Sequence, residues 1–256
     1  MKTRQGLTPL NLINSEEVER VFNEFKPNWV IHCAAERRPD VAEKDPERTE
    51  TLNVKIPGHL AKLAKSLKYT LVYISTDYVF DGTSPPYTPS AQTNPLQLYG
   101  RTKRDGEEAV LSVSGAKVVI LRVPVLYGPA PSNADSAINI LLDVVQDQSG
   151  KQYKMDHYAT RYPTNVVDIA GFLKRLSEPF TKYEICLVFA GILGLAHGHI
   201  VPDAEPPKDA TSRPRDCQLY TKETEDLARL AGLEPGGLGF ECGFEEWWRG
   251  YLVGTV

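Results

Sequence analysis

A short apolar run that ends in polar residues is the feature that most constrains the fold of this 256-residue chain. Residues 71–74 read Leu-Val-Tyr-Ile, and Ser75-Thr76-Asp77 follow directly. Such a run is typical of a buried strand, here one with a hydroxyl at its C-terminal end. Further along, Tyr99-Gly-Arg-Thr-Lys103 places a phenol and an amine four residues apart, on one face of a helix. The pattern predicts that all three groups meet at one point.

These three side chains suit proton transfer to a carbonyl group. Lys103 would lower the pKa of Tyr99 and hold a ribose, Tyr99 would pass a proton, and Thr76 would hydrogen-bond the reacting oxygen. A lone Tyr-x-x-x-Lys pair also occurs by chance in many helices, so an ordinary amphipathic helix is the alternative. The preceding strand and its polar end favour the catalytic interpretation.

Composition excludes several classes of protein. A formal net charge of −4 provides no basic surface for nucleic acid or an anionic membrane. The four cysteines are widely spaced and include no Cys-x-x-Cys pair, which predicts neither a disulfide framework nor a metal site and fits a reduced, cytoplasmic setting. The first residues lack the apolar stretch of a signal peptide, and no apolar run reaches membrane-spanning length.

The order of apolar segments predicts an α/β fold with a parallel sheet. Pro27 is expected to end a first helix that Asn14 caps, and residues 29–35 are expected to form a strand buried on both faces. Pro57-Gly58 interrupts a long helix over residues 46–67. The remaining predictions are a helix from Tyr99 to about 112–115, a strand over 117–128, helices over 134–146, 181–193, 221–231 and 244–253, and a loop over 202–207.

The sequence of the strand end and its helix resembles a known family. Ser75-Thr-Asp-Tyr-Val-Phe-Asp-Gly82, with Tyr99 and Lys103, is similar to the extended short-chain dehydrogenases/reductases. Within them it resembles the dTDP-4-dehydrorhamnose reductases and their relative, the regulatory β subunit of methionine adenosyltransferase. The segments Glu36-Arg-Arg-Pro-Asp40 and Met155-Asp-His157 favour the β-subunit branch.

The resemblance implies a Rossmann-like parallel sheet with a small C-terminal substrate-type lobe. Residues 1–128 and 164–180 would form the NAD(P)-binding domain, and residues 129–163 and 181–256 the lobe. Asn53 occupies the position whose side chain helps to hold the Tyr-Lys helix, although a solvent-facing asparagine is the alternative. The implied catalytic residues are Thr76, Tyr99 and Lys103, and the implied cofactor contacts are Asn11, Leu12, Cys33, Ala34, Ala35, Arg37, Tyr99, Lys103 and Leu126.

One expected feature of a dinucleotide-binding fold does not occur in this sequence. Such folds begin with a strand, a Gly-rich turn and a helix whose N-terminus receives the pyrophosphate. The chain starts near the family's third strand, and the glycines at 236, 237 and 239 follow no strand. We therefore expect the N-terminal Gly-rich unit to be missing and NADP or NAD to bind weakly.

The resemblance implies two alternative functions. The first is a regulatory, NADP-binding partner of the methionine adenosyltransferase catalytic subunit that tunes S-adenosylmethionine synthesis and is not itself an enzyme. The second is an NADPH-dependent reductase of a dTDP-4-keto sugar, with Tyr99 as the proton donor and a nucleotide-sugar ligand. The aromatic segment Trp247-Trp-Arg-Gly-Tyr251 would then either contact the partner or pack inside the lobe.

Overall fold

The computed structural model describes residues 8–170, 181–205, 214–217, 219 and 244–253. Within these residues the chain forms two compact units. The first comprises residues 8–79 and 93–122, and the second comprises the other described residues. Helices and parallel strand pairs confirm the predicted α/β class. The predicted domain boundaries stay a prediction.

The first unit is built on a sheet with the strand order β1-β2-β3. Strands β1 and β2 pair in parallel, with Trp29 opposite Thr70 and His32 opposite Tyr73. The elements in chain order are α1 (Ser15–Phe25), β1 (Trp29–His32), α2 (Pro39–Ala42), α3 (Pro46–Glu50), a π-helical turn (Thr51–Lys55), α4 (Ile56–Leu67), β2 (Thr70–Thr76), a 3₁₀ turn (Asp77–Val79), α5 (Leu98–Leu111) and β3 (Lys117–Val123).

Helix α1 begins and ends where the sequence predicts. The Asn14 side chain accepts the N–H of Glu17 at 3.1 Å, which satisfies one of the first-turn donors. At the other end Lys26 adopts a left-handed conformation, with φ 48°, and donates its N–H to Phe22 O. Pro27 follows at once and cannot continue the helix.

Strand β1 differs from its prediction. Trp29 is 60% exposed and Ile31 is 65% exposed, whereas His32 is buried. The expectation of burial on both faces is therefore wrong for the described residues. Trp29 and Ile31 lie two residues apart and so share one face of the sheet, and that face of β1 is open within the described residues.

Pro57 shapes the helix over residues 46–67 without ending it. A proline lacks an N–H, so the carbonyl oxygen of Asn53, four residues earlier, loses its helical partner. The chain passes through the π-helical turn at this point, and the Tyr73 hydroxyl donates to Asn53 O at 3.0 Å. Helix α4 then continues to Leu67, and its apolar face packs in the core with β2.

The second unit carries its own apolar core and two short parallel strand pairs, β4 with β6 and β5 with β7. Trp248 is fully buried there, with its ring 4.6 Å from Phe189 and 5.8 Å from Tyr127, so this tryptophan packs inside its unit. The described elements are β4 (Leu126–Tyr127), α6 (Leu141–Gln146), β5 (Tyr153–Asp156), β6 (Thr164–Asn165), α7 (Val166–Ala170), α8 (Lys182–Leu193), β7 (Ile200–Asp203) and α9 (Phe244–Val253).

Two sequence predictions for this unit need correction, and a third concerns residues that the structure does not describe. The helix predicted over 134–146 begins only at Leu141, because Ser136 Oγ accepts the backbone N–H groups of Ile138 and Asn139 and so replaces the first helical hydrogen bonds. The loop predicted over 202–207 begins inside β7. The helix predicted over 221–231 lies outside the described residues.

Candidate functional site

The C-terminal end of β2 places Thr76 where the sequence predicts it. Thr76 is 6% exposed, and its hydroxyl donates to Asp77 Oδ1 at 3.0 Å while accepting the N–H of Tyr78 at 3.2 Å. The ring of Tyr78 meets the ring of Tyr99 edge to face, at 6.2 Å. The strand end and the Tyr-Lys helix therefore meet, as the sequence predicts.

Two side chains and a glycine fix the start of helix α5. Gln97 Oε1 accepts the N–H of Gly100 at 2.7 Å, and Glu43 Oε1 accepts the N–H of Leu98 at 2.8 Å. Gly100 lies so close to Tyr78 O that a Cβ at this position would overlap the oxygen. The first turn of α5 can therefore approach the end of β2 only because residue 100 has no side chain.

The Tyr99 hydroxyl lies in a desolvated environment. Burial raises the pKa of Tyr99 well above its ordinary value, and the charge of Asp77 adds to the rise. Hydrogen bonding with Thr76 and the positive charge of Arg37 act in the opposite direction. The predicted lowering of the Tyr99 pKa is therefore wrong, because burial outweighs the effect of the neighbouring positive charge.

Lys103 is a buried cation held by β2. The residue is 3% exposed, its Nζ donates to Ile74 O at 2.7 Å, and it lies 3.8 Å from the centre of the Tyr73 ring. Burial lowers the pKa of Lys103 to about 7, while Glu107 and Cys33 act to raise it. This lysine therefore changes charge in the neutral pH range.

His32 and Cys33 lie beside Lys103 at the end of β1. His32 is 5% exposed and stacks on Tyr73 at 6.1 Å, and its Nε2 has no hydrogen-bond partner among the described residues. Burial lowers the pKa of His32 to about 4, and Lys103 contributes to the same effect. Cys33 is exposed as a residue, but desolvation of its thiol raises the pKa. His32 is therefore a neutral imidazole in the core.

Asn53 links two parts of the site. Its Oδ1 accepts the N–H of Glu36 at 2.9 Å, and its Nδ2 donates to Glu36 O at 3.1 Å and to Thr102 Oγ1 at 3.0 Å. Asn53 is fully buried, so the solvent-facing alternative does not hold. Glu36 follows β1 and Thr102 belongs to α5, so a single amide fixes the loop after β1 against the helix that carries Tyr99 and Lys103.

Glu107 is a site residue that the sequence interpretation missed. It is 4% exposed, and its carboxylate accepts Arg122 Nε at 2.9 Å, Arg122 Nη2 at 2.7 Å and Ser75 Oγ at 2.5 Å. The signal was available in the sequence, because residues 99, 103 and 107 follow one another at intervals of four and so share one helix face.

Comparison of the sequence with known proteins finds a matching family and a named relative. The family described as the RmlD substrate binding domain matches residues 2–192. The methionine adenosyltransferase 2 subunit beta of Rattus norvegicus is 39% identical over 244 residues, which cover 88% of this chain and 72% of the relative. The chain belongs to the RmlD substrate binding domain family. The predicted resemblance is therefore confirmed.

Two solved structures of RmlD-type reductases share the fold. The dTDP-4-dehydrorhamnose reductase of Clostridium acetobutylicum superposes with a TM-score of 0.79 at 25% identity, covering 96% of this chain and 87% of the reductase. That of Bacillus anthracis, solved in complex with NADP, superposes with a TM-score of 0.78 at 22% identity, over the same shares of both chains. These likenesses confirm the Rossmann-like class of the RmlD-family chain.

The other predicted cofactor contacts are spread over several elements of the chain. Ala34 and Arg37 are exposed just after β1, and Ala35 is half-buried between them. The Asn11 side chain accepts the N–H of Ile13 at 3.2 Å, and no hydrogen bond or ion pair between described residues joins it to Tyr99 or Lys103. Leu12 packs on the core of the first unit, whereas Leu126 begins β4 in the second. Their roles as cofactor contacts stay predictions.

Two further properties concern the described residues only. None of their helices combines the length and the apolar character needed to cross a bilayer. No group of three or more His, Cys, Asp or Glu side chains among them is arranged to hold a metal ion.

Proposed function

We propose that this chain is a regulatory subunit of methionine adenosyltransferase that binds NADP or NAD and modulates S-adenosylmethionine synthesis through the catalytic subunit. The observation that carries the proposal is the likeness to the rat subunit beta, at 39% identity over 88% of this chain. The name of that relative supplies the partner, because a beta subunit acts within an assembly.

The end of β1 suits a dinucleotide. Cys33, Ala34 and Arg37 are exposed there, so small side chains leave the backbone open while a guanidinium provides a donor for a phosphate or a ribose hydroxyl. Lys103 and Tyr99 lie on the adjoining helix face. These groups would hold the nicotinamide-ribose part, and the cofactor would supply hydride chemistry only if a substrate also bound.

The state of the Tyr99 and Lys103 side chains supports a binding role over catalysis. A proton donor works best when its pKa is near the operating pH, and burial moves the pKa of Tyr99 away from that range. Lys103 is engaged by Ile74 O and the Tyr73 ring. The geometry therefore favours a site that recognises a cofactor.

Titration calorimetry with NADP⁺ at pH 6.5 tests the cofactor part. Lys103→Met should weaken binding roughly tenfold or more, since a charge-assisted hydrogen bond contributes about 1.5–3 kcal/mol. Lys62→Met removes an exposed positive charge from α4 and serves as the matched control, with unchanged affinity expected. The weak binding expected from the sequence stays a prediction, and equal affinities of the two variants would contradict the assigned site.

A reductase of a dTDP-4-keto sugar is the second candidate, favoured by the contact between Thr76 and Tyr99 and by the likeness to the Clostridium reductase. We expect no turnover of such a sugar with NADPH. If turnover is found, Tyr99→Phe should abolish it and leave the melting temperature nearly unchanged, because the variant loses only the proton donor. Turnover that depends on Tyr99 would replace the regulatory proposal by the enzymatic one.

A further inference from the structure

The carboxylate of Glu107 accepts hydrogen bonds from groups on two strands. Arg122 of β3 donates two N–H groups to it, at 2.9 and 2.7 Å, and Ser75 of β2 donates its hydroxyl at 2.5 Å. Glu107 itself belongs to α5. One buried side chain therefore connects the helix to the last residues of β2 and to the neighbouring strand.

The same helix face holds β2 at successive residues. Lys103 Nζ binds Ile74 O at 2.7 Å, one residue before the serine that binds Glu107, and Thr76 comes one residue after it. The position of Thr76 beside Tyr99 thus depends on contacts that Lys103 and Glu107 make together. A bidentate arginine pair is the geometry with the most directional constraint among ion pairs.

Glu107 also faces the buried ammonium group. It lies four residues after Lys103 on α5, and both side chains are buried. Among the described residues, the other groups beside Lys103 are His32 and Cys33 from the end of β1 and Tyr73 from β2, and the cation Arg122 is bound to Glu107 itself. Within this set Glu107 is the acidic residue, so it opposes the loss of charge that burial imposes on the lysine.

We propose that Glu107 is a positioning residue of this site, which fixes the end of β2 against α5 and keeps Lys103 charged when a cofactor binds. The inference rests on the proposed function for its cofactor, but the charge of Lys103 can be measured without one. Glu107 acts through Lys103 and Thr76 and does not itself touch the ligand.

NMR titration of the lysine Nζ and Cε signals, with Lys103 assigned by its loss in Lys103→Met, tests the inference on the whole chain. Glu107→Gln keeps the shape of the side chain and removes the charge, so the proton affinity of Lys103 should fall roughly tenfold or more. Glu108→Gln removes the same charge one residue later, where the carboxylate is 72% exposed, and should leave the Lys103 midpoint in place.

A second variant separates position from charge. Ser75→Ala keeps the Glu107 charge, so the Lys103 midpoint should stay while NADP⁺ affinity falls severalfold at every pH. In Glu107→Gln the loss of affinity should instead grow from pH 6 to pH 8. An unchanged Lys103 midpoint in Glu107→Gln, or an equal shift in Glu108→Gln, would overturn the inference. Failure of the parent chain to bind NADP⁺ would contradict the proposed function and leave the lysine titration as the test of Glu107.

Discussion

At the scale of single residues, the site is defined by polar groups that are largely removed from water. Tyr99, Lys103 and His32 each have a shifted pKa, and burial is the largest cause in all three. Burial disfavours the charged form, so the phenol and the imidazole stay neutral at neutral pH and the lysine is close to its midpoint. Lys103 is the one of these three that carries a charge in the unfolded chain at neutral pH, so burial of this group lowers the stability of the fold while it builds the site.

The destabilisation caused by burial of Lys103 should appear as a pH dependence of the free energy of unfolding. The pKa of Lys103 falls from 10.5 to about 7 on folding, so between these values the unfolded chain binds a proton that the folded chain has released. The free energy of unfolding therefore rises with pH across this window, and the destabilising contribution is fully present below about pH 7.

Lys103→Met should remove that slope. The free energy of unfolding of the variant, minus that of the parent chain, should be larger at pH 6.5 than at pH 9.5 by on the order of 2 kcal/mol. Urea unfolding of both proteins at the two pH values measures the difference, and Lys62→Met is the control for the loss of one positive charge. A difference that is independent of pH would contradict the assigned burial of the Lys103 charge.

At the scale of elements, the site depends on the close approach of α5 to the π-helical turn. Gly106 of α5 lies against Asn53 O and the Tyr73 hydroxyl, so closely that a Cβ at residue 106 would overlap both oxygens. The Tyr73 hydroxyl donates to Asn53 O in place of the N–H that Pro57 lacks. The glycine, the proline and the tyrosine thus form one packing arrangement, although they lie on three different elements.

Two glycines in neighbouring helices should respond to alanine in opposite ways. Gly106→Ala should destabilise the fold by about 3 kcal/mol, because the new methyl group can fit only if α5 moves away from the π-helical turn. Gly58→Ala in α4 should be neutral or stabilising by up to about 1 kcal/mol, because its Cβ would meet only Ala109 Cβ at an ordinary 3.4 Å. Chemical denaturation of the pair measures both values, and similar effects would contradict the packing described here.

The elements also show what the sequence could predict and why. Helix α1, the Tyr-Lys helix and the helix after Thr181 follow from local signals, namely the caps Asn14 and Thr181 and apolar spacing. The π-helical turn and the exposure of Trp29 depend on contacts between distant residues, which no local pattern encodes. The spacing of Tyr99, Lys103 and Glu107 puts Glu107 on the same helix face, but its role was missed because its partners Ser75 and Arg122 belong to other elements.

At the scale of the whole molecule, the family sets the expectation for function. The chain belongs with methionine adenosyltransferase 2 subunit beta, and the RmlD-type reductases share its fold. The aromatic segment at the end of the described chain packs its Trp248 into the core of the second unit, which favours the packing alternative for this residue. The Trp248 side chain is therefore not available to a partner surface.

Binding to a methionine adenosyltransferase catalytic subunit is the most direct test of the regulatory proposal. The full chain and a purified catalytic subunit, mixed at micromolar concentrations with and without NADP⁺, should form a complex in analytical ultracentrifugation, and S-adenosylmethionine synthesis by the mixture should differ from that of the catalytic subunit alone. Gly58→Ala should behave as the parent chain. Two independently sedimenting species and an unchanged rate of synthesis, with and without NADP⁺, would contradict the account.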